Sequence, residues 1–293
     1  MLLIDASVYI FRAFHALPDS ITGRGGRPLN AVHGYATFLT GLLEQVDDDQ
    51  IAAAFDESLT SSFRNEWFAD YKANREAPPA ELVDQIAACR ELTEGLGIAT
   101  LSSPRYEADD LIGSLAAGAQ APVTIVTSDK DLAQLLGTSD VLWDYAREAR
   151  YDRQAIQARF GVVAEHIPDY LALVGDAVDN IPGVPGIGAK TAAALLARFD
   201  SLETMLADLE AVRDSGLRGA KSLAGKLDTH AEQARLSRRL AVIVIDIELE
   251  PAQRDIRRRA ANLERLDALC QAIGAGHRLR RQLGLSEYKE ANP

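Results

Sequence analysis

Asp5 ends a short apolar run, Leu2-Leu3-Ile4, and Asp56 ends a second, Ile51 to Phe55. Glu107, Asp109 and Asp110 open a helical stretch just after a third run, Ile98 to Leu101. Asp129 and Asp131 follow a fourth, Val123 to Thr127. If these runs are strands of one parallel sheet, four strand ends deliver acids to the edge where open α/β sheets bind ligands. Asp176 and Asp179 form a fifth group, three residues apart in a turn between two helical stretches. Helical backbone there puts both on one face. So many anions together repel unless cations lie between them. Oxygen donors without His or Cys select magnesium or manganese over zinc. Two such ions about 3.5–4 Å apart clamp a phosphodiester, one activating water and the other stabilising the leaving oxygen. Each acid alone also fits a plain role as a helix cap or first-turn residue, and Glu107, Asp109 and Asp131 sit where caps would sit. Capping does not explain acids at four successive strand ends.

A second motif lies downstream, Pro182-Gly183-Val184-Pro185-Gly186-Ile187-Gly188-Ala189-Lys190-Thr191, leading into an alanine-rich helix. Gly186 and Gly188 allow a sharp turn and a close approach to a ligand. A helix beginning near Ala189 turns its free N–H groups to that loop, and Lys190 and Thr191 stand beside it. The pattern is that of a helix–hairpin–helix, which grips a DNA phosphate without reading sequence. An ordinary glycine turn between helices is the plain alternative. From Arg213 to Arg239, seven Lys and Arg stand against three acids. That stretch either extends a DNA track or is a solvated face.

The elements that must position these residues change along the chain. Up to about residue 160, short apolar runs alternate with helical spacings over Ala31–Val46, Glu81–Leu96 and Ala108–Ala119, with a fifth run at Val141–Trp143. That alternation predicts a mostly parallel sheet flanked by helices. Beyond Asp152 the patterns are helical: Arg153–Phe160, Glu165–Val174, Ala189–Phe199, Ser201–Leu209, Leu263–Ile273 and His277–Leu283. Ala241–Ile247 is the exception, an edge strand or extended segment. The fold class is therefore α/β, with an α/β core over residues 1–160 and a helical C-terminal region over 161–293 that completes the acidic site. No internal repeat is evident. Thr22–Pro28 is a glycine-rich basic loop, Ala73–Pro79 is rich in helix breakers, and the tail Glu287–Pro293 is polar and expected to fray.

Bulk properties bound the rest. The 293 residues are 47% hydrophobic, ample for a full core. The two cysteines, Cys89 and Cys270, have no metal-spaced partner and are expected to be buried thiols, which points to a reducing, cytoplasmic compartment. The N-terminus lacks a signal-peptide pattern, and no apolar run reaches membrane-spanning length. The net charge of −12 argues against nucleic acid unless the acids are gathered in a metal site.

Together these motifs resemble the 5′–3′ exonuclease and flap endonuclease family, most closely the nuclease domain at the N-terminus of bacterial DNA polymerase I and its stand-alone relatives. The resemblance runs from about Leu2 to about Leu206. Phe11-Arg12-Ala13-Phe14-His15, Ser62-Phe63-Arg64, Tyr71-Lys72-Ala73-Asn74-Arg75, Tyr106-Glu107-Ala108-Asp109-Asp110, Ser128-Asp129-Lys130-Asp131 and the Gly175–Thr191 stretch carry it. It implies that Asp5, Asp56, Glu107, Asp109, Asp110 and Asp129 surround one magnesium ion and that Asp131, Asp176 and Asp179 serve a second. Manganese could substitute. It implies a helical arch over residues 61–79 with a single strand passing beneath. There Tyr71 would stack on a base, and Arg64, Lys72 and Arg75 would contact phosphate. Arg12 would lie near the scissile phosphate, with Lys72 and Arg75 stabilising charge in the transition state. The hairpin around residues 181–200 is expected to bind potassium through backbone carbonyls while it holds the duplex. The implied activity is two-metal hydrolysis of DNA at 5′ ends and 5′ flaps, RNA-primed ends included, leaving 5′-phosphate and 3′-hydroxyl groups in replication and repair. Ala177-Val178 departs from the small polar residues often found in relatives, without loss of a carboxylate. The chain ends at Pro293 without a polymerase or proofreading domain, so a stand-alone enzyme is expected; separately, a monomer is expected. A non-catalytic junction binder would not need nine carboxylates. A PIN-like RNA endonuclease would lack the arch and the hairpin, and an Asp-nucleophile phosphohydrolase would leave the hairpin unexplained.

Overall fold

The computed structural model describes residues 1–58 and 62–285. The start of the expected arch at Ser61 and the tail from 287 onward lie outside them.

Strand β1 (Leu2–Asp5) is buried along its whole length, as a strand covered on both faces must be. It leads into α1 (Ala6–Ala16), α2 (Asn30–Leu43), β2 (Ile51–Asp56), α3 (Ala80–Gly95), β3 (Ala99–Ser103), α4 (Ala108–Ala117), β4 (Thr124–Val126), β5 (Val141–Asp144) and β6 (Ala149–Tyr151). The sheet order is β3-β2-β1-β4-β5-β6, parallel except for the last pair. The order reverses direction between β1 and β4, so the carboxyl ends of those two strands form the topological switch point.

Period-two alternation divides the strands between two cores. Leu3, Ala54, Leu101 and Ile125 face α4 and the helical region. Leu2, Ile4, Ala53 and Phe55 face α1, α2 and α3. The remaining helices are α5 (Arg153–Phe160), α6 (Ile167–Val174), α7 (Ala189–Phe199), α8 (Leu202–Ala207), α9 (Leu209–Arg213), α10 (Ala220–Thr229), α11 (Ala231–Ala241), α12 (Pro251–Arg254), α13 (Leu263–Ile273) and α14 (His277–Gln282). The last two return to the first part of the chain: α13 packs on α3 and α14 on α2, with Leu266, Cys270 and Leu279 buried in the second core.

Two features differ from expectation, and the open choice at Ala241–Ile247 falls to the extended segment. β6 was not visible in the pattern, because three residues are too few to show a period. Residues 242–250 form no ladder; they cross α4 as an extended strap, with Val244 N donating to Asp110 Oδ1 (2.9 Å) and Ile247 N to Ser114 Oγ (3.2 Å). The expected arch is not helical among residues 62–79, apart from one 3-10 turn at Phe63–Glu66. Pro78-Pro79 and the left-handed backbone at Lys72 (φ 56°) oppose a continuous helix. The segment instead folds inward and buries Phe63 and Tyr71.

Candidate active site

Asp5 leaves β1 as the N-cap of α1. Its Oδ1 accepts from Val8 N (3.3 Å) and its Oδ2 from the Thr127 hydroxyl (2.8 Å), which ties the ends of β1 and β4 together. Asp56, at the end of β2, accepts from Ala108 N (2.9 Å), the first residue of α4. Asp129 accepts from Asp131 N (2.9 Å) beyond β4. Asp5, Asp56, Glu107, Asp109 and Asp129 line one cavity of about 250 Å³, with Lys72 and Arg75 at its wall. Sequence order alone thus carried five of the nine predicted acids to the switch point.

The electrostatics divide the acids into two kinds. Burial, then repulsion from Asp56, pushes Asp5 up to about 7. Burial, then Asp129 and Asp5, pushes Asp109 well above the usual carboxylate range. Asp56 and Asp129 are raised mainly by burial. These four share a cavity without a cation close enough to offset their desolvation. Glu107 and Asp176 are the other kind. Burial would raise both, but Lys72 and Arg64 hold Glu107 below its ordinary value, and Lys130 does the same for Asp176.

Asp131 lies deeper, against a narrow cavity shared with Asp109, Asp179 and Tyr71. Burial, then Asp129, pushes its carboxyl up to about 7. Lys130 Nζ stands 3.0 Å from Asp131 Oδ1 and also pairs with Asp176. The contact with Oδ1 is an ion pair without hydrogen-bond alignment, so that buried oxygen has no hydrogen-bond partner. Asp176 and Asp179 do not share a helical face. An antiparallel bridge between Asp176 and Ile181 closes a tight turn and separates their partners. Gly175 (φ 80°) and Gly183 (φ 62°) make that turn possible, since a Cβ on Gly183 would lie 2.3 Å from Gly175 N. Asp179 accepts from Arg75 (2.5 Å) and from the Tyr71 hydroxyl (3.2 Å).

The donor set tests well against hard divalent cations: all oxygen, buried or half-buried, mutually repelling, with one orphaned oxygen at Asp131. It is not closed around an ion. Among the described residues, no three His, Cys, Asp or Glu side chains are arranged to hold one. The chain's own ammonium groups stand between the acids instead. Lys72 Nζ lies 2.9 Å from Glu107 and 3.8 Å from Asp179, and Lys130 bridges Asp131 and Asp176.

Several predicted residues lie elsewhere. Asp110 is fully buried and gives both oxygens to Arg64, at 2.8 Å each, so it faces the strap rather than the cavity. Arg64 is equally buried, donating also to the Leu240 and Val242 carbonyls, and offers nothing to a phosphate in this arrangement. Tyr71 is 2% exposed and its hydroxyl reaches Glu107 (3.2 Å), so its ring cannot stack on a base as placed. Arg12 lies one turn beyond Ser7 and Val8 on α1, where it borders a separate cavity with Tyr9, Phe38 and Arg278. Lys190 is exposed beside the hairpin, and Gly186 (φ 76°) and Gly188 form its turn. Lys226 Nζ donates to the Gly186 carbonyl (2.8 Å), so an ammonium of the chain holds one of the carbonyls expected for potassium.

Sequence reasoning missed Lys130, although its place between Asp129 and Asp131 was a signal. It also missed the clasp that holds residues 70–75 to 177–180: Lys72 N to Asp179 O (3.1 Å), Asn74 to Ala177 O (2.8 Å) and Asn180 to Asp70 O (2.6 Å). The side chains of Asn74 and Asn180 gave no signal. Both cysteines are buried thiols.

Comparison with known proteins agrees with this architecture. Residues 1–161 match the family model of the 5′-3′ exonuclease N-terminal resolvase-like domain, and residues 162–264 match that of the 5′-3′ exonuclease C-terminal SAM fold. The chain belongs to the 5′-3′ exonuclease family. It is 44% identical over 254 residues to DNA polymerase I of Pseudomonas aeruginosa, covering 85% of this chain and 28% of that protein. It is 36% identical over 296 residues to DNA polymerase I of Caldicellulosiruptor bescii, covering 98% of this chain and 34% of that one. The chain thus spans about a third or less of these relatives. Among solved structures, the T5 5′-exonuclease with bound zinc superposes with a TM-score of 0.70 at 19% identity, over 93% of this chain and 97% of that one. The catalytic core of Rad2 with DNA substrate gives 0.64 at 18%, over 96% and 90%. At such identities these two show a shared fold. No helix among the described residues is long and apolar enough to cross a membrane.

Proposed function

We propose that this chain hydrolyses DNA phosphodiesters at 5′ ends and 5′ flaps, leaving 5′-phosphate and 3′-hydroxyl ends, as a nuclease of replication and repair. The observation that carries this is the cavity at the β1/β4 switch point, where the buried Asp5 and the half-buried Asp56, Asp109 and Asp129 stand together with raised carboxyls. Two magnesium ions, or manganese, would supply water activation and stabilisation of the leaving 3′ oxygen there. Asp5, Asp56, Glu107, Asp109 and Asp129 would hold one ion, and Asp131, Asp176 and Asp179 the other.

The chain's own groups do the remaining work. Lys72 and Arg75 neutralise Glu107 and Asp179 in the protein as it stands. Once those carboxylates have other partners, both cations turn their charge to the phosphate and stabilise the negative charge that grows during in-line attack. The Tyr71 hydroxyl lies 3.2 Å from both Glu107 and Asp179 and shares its one proton between them, which keeps the two carboxylates oriented. The hairpin at Gly186–Gly188, with Lys190 and Thr191, holds the duplex by its backbone, independent of sequence. A potassium ion at that hairpin would have to displace Lys226 from Gly186. Residues 1–160 supply the cavity, and the region from 161 supplies Asp176, Asp179 and the hairpin. Two buried free thiols support a reducing, cytoplasmic setting.

The test is cleavage of a 5′-labelled flap duplex in magnesium, in EDTA, and with Asp131→Asn. Cutting near the junction in magnesium alone, lost in the other two conditions, supports the assignment. Duplex binding without cutting in magnesium and in manganese would make the protein a junction binder.

A further inference from the structure

The chain carries a second turn built like the first. Gly216-Leu217-Arg218-Gly219-Ala220-Lys221-Ser222 repeats Gly186-Ile187-Gly188-Ala189-Lys190-Thr191 with one residue inserted, and the inserted residue is Arg218. The structures correspond at the first glycine and in the helix that follows, while Gly219 (φ 78°) is left-handed where Gly188 (φ −101°) is extended. Gly216 (φ 73°) matches Gly186 (φ 76°), and each turn runs directly into a helix, α10 and α7. Leu217 packs inward as Ile187 does. In each helix the fourth and eighth residues are buried, Leu223 and Leu227 in α10 and Ala192 and Leu196 in α7. A Cβ on Gly216, Gly219 or Gly188 would meet nothing within 4 Å, so both turns face open space.

Charge sets this surface apart. In a chain of net charge −12, seven of the fourteen arginines beyond residue 160 are tied to acids, among them Arg213 to Glu210, Arg235 to Glu203 and Arg238 to Asp169. Lys190, Arg218 and Lys221 are exposed, and among the described residues none has a carboxylate partner. Lys226, on α10, spends its ammonium on the Gly186 carbonyl and so ties the two turns together. Ser222 lies four residues before Lys226, hence on the same face of α10. Unpaired cations kept on two joined turns of an acidic protein suit a regularly spaced polyanion.

We infer that the turn at Gly216–Gly219, with Arg218 and Lys221, is a second phosphate-backbone contact for a DNA duplex, working alongside the first hairpin and coupled to it through Lys226. This rests on the DNA reading above. Both hairpins then grip backbone, and binding tolerates the acidic net charge because Lys190, Arg218 and Lys221 are not neutralised by the chain's own acids.

The test is fluorescence anisotropy of a labelled flap duplex in EDTA over a range of salt, with the full chain. Arg218→Ala/Lys221→Ala is expected to lower the slope of log affinity against log salt by about 0.9 for each contact removed, a loss of about eightfold per contact at 0.1 M salt. In magnesium, KM for the flap rises and kcat holds, and Arg218→Lys restores most of the affinity. Both side chains are exposed, and matching melting curves for variant and wild type would exclude a folding defect. Unchanged duplex affinity in this variant, with Lys190→Ala weakened, overturns the second contact and leaves the DNA reading intact. Loss on single-stranded DNA without loss on duplex overturns the duplex assignment. No duplex binding by the wild type overturns both readings.

Discussion

Lys72 Nζ lies 2.9 Å from Glu107 Oε1, in a pair almost closed to water. The lysine reaches that position from left-handed backbone (φ 56°), held by its own N–H on the Asp179 carbonyl. A cation so placed neutralises an acid that a divalent ion would otherwise take. It also lines the cavity that a phosphate would enter, together with Arg75. Lys72→Ala is expected to reduce single-turnover flap cleavage by about 10²–10³, the usual effect of losing one transition-state donor. It is also expected to tighten divalent-ion binding in a calcium titration by calorimetry. An unchanged cleavage rate would remove Lys72 from the mechanism.

Asp109→Asn separates function from stability. Asp109 is strongly raised by burial and by Asp129 and Asp5, so its charge opposes folding in metal-free protein. Removing that charge is expected to raise the melting temperature in EDTA while abolishing magnesium-dependent cutting, as when an active site trades stability for activity. A variant less stable than wild type in EDTA would show that Asp109 is a structural residue.

The pH dependence of metal-free stability has a definite sign. Asp5 and Asp131 are raised from 3.8 to about 7, so the folded state holds their protons more tightly than the unfolded state does. Their contribution is present in full below about pH 4 and is lost as pH rises through about 7. Glu107 and Asp176 are lowered and act oppositely, but their contribution changes below the ordinary carboxylate range. Between pH 5 and 8 the EDTA-treated protein should therefore lose melting temperature, in a pH window set by the raised pair. Magnesium should restore more at pH 8 than at pH 6. A melting temperature in EDTA that rises over this range would contradict the assignment.

Arg64 and Asp110 form a buried bidentate pair at 2.8 Å. Breaking such a pair from one side leaves an uncompensated charge and costs about 3–5 kcal/mol. Arg64→Ala should lose that much in urea denaturation, measured in EDTA. If the variant instead keeps its stability and loses DNA affinity, Arg64 contacts phosphate, as the family resemblance implies.

The sequence by itself determined the sheet, most helices and the pooling of acids. These depend on local patterns: apolar runs of strand length, helical spacing, and carboxylates at the ends of consecutive runs. Once β1, β2 and β4 pair in parallel, Asp5, Asp56 and Asp129 must come to one edge, and no packing detail alters that. Tertiary structure alone decided which charged groups face the cavity. Asp109 and Asp110 are neighbours on one helix, yet one borders the cavity and the other meets Arg64 beneath the strap. Tyr71 and Arg64 have side chains equally suited to a nucleic-acid surface and to a buried network, and burial against residues far along the chain chose the network. The clasp between residues 70–75 and 177–180 was equally hidden, since its one backbone bond and its two asparagine-to-carbonyl bonds join groups about a hundred residues apart that no local pattern links.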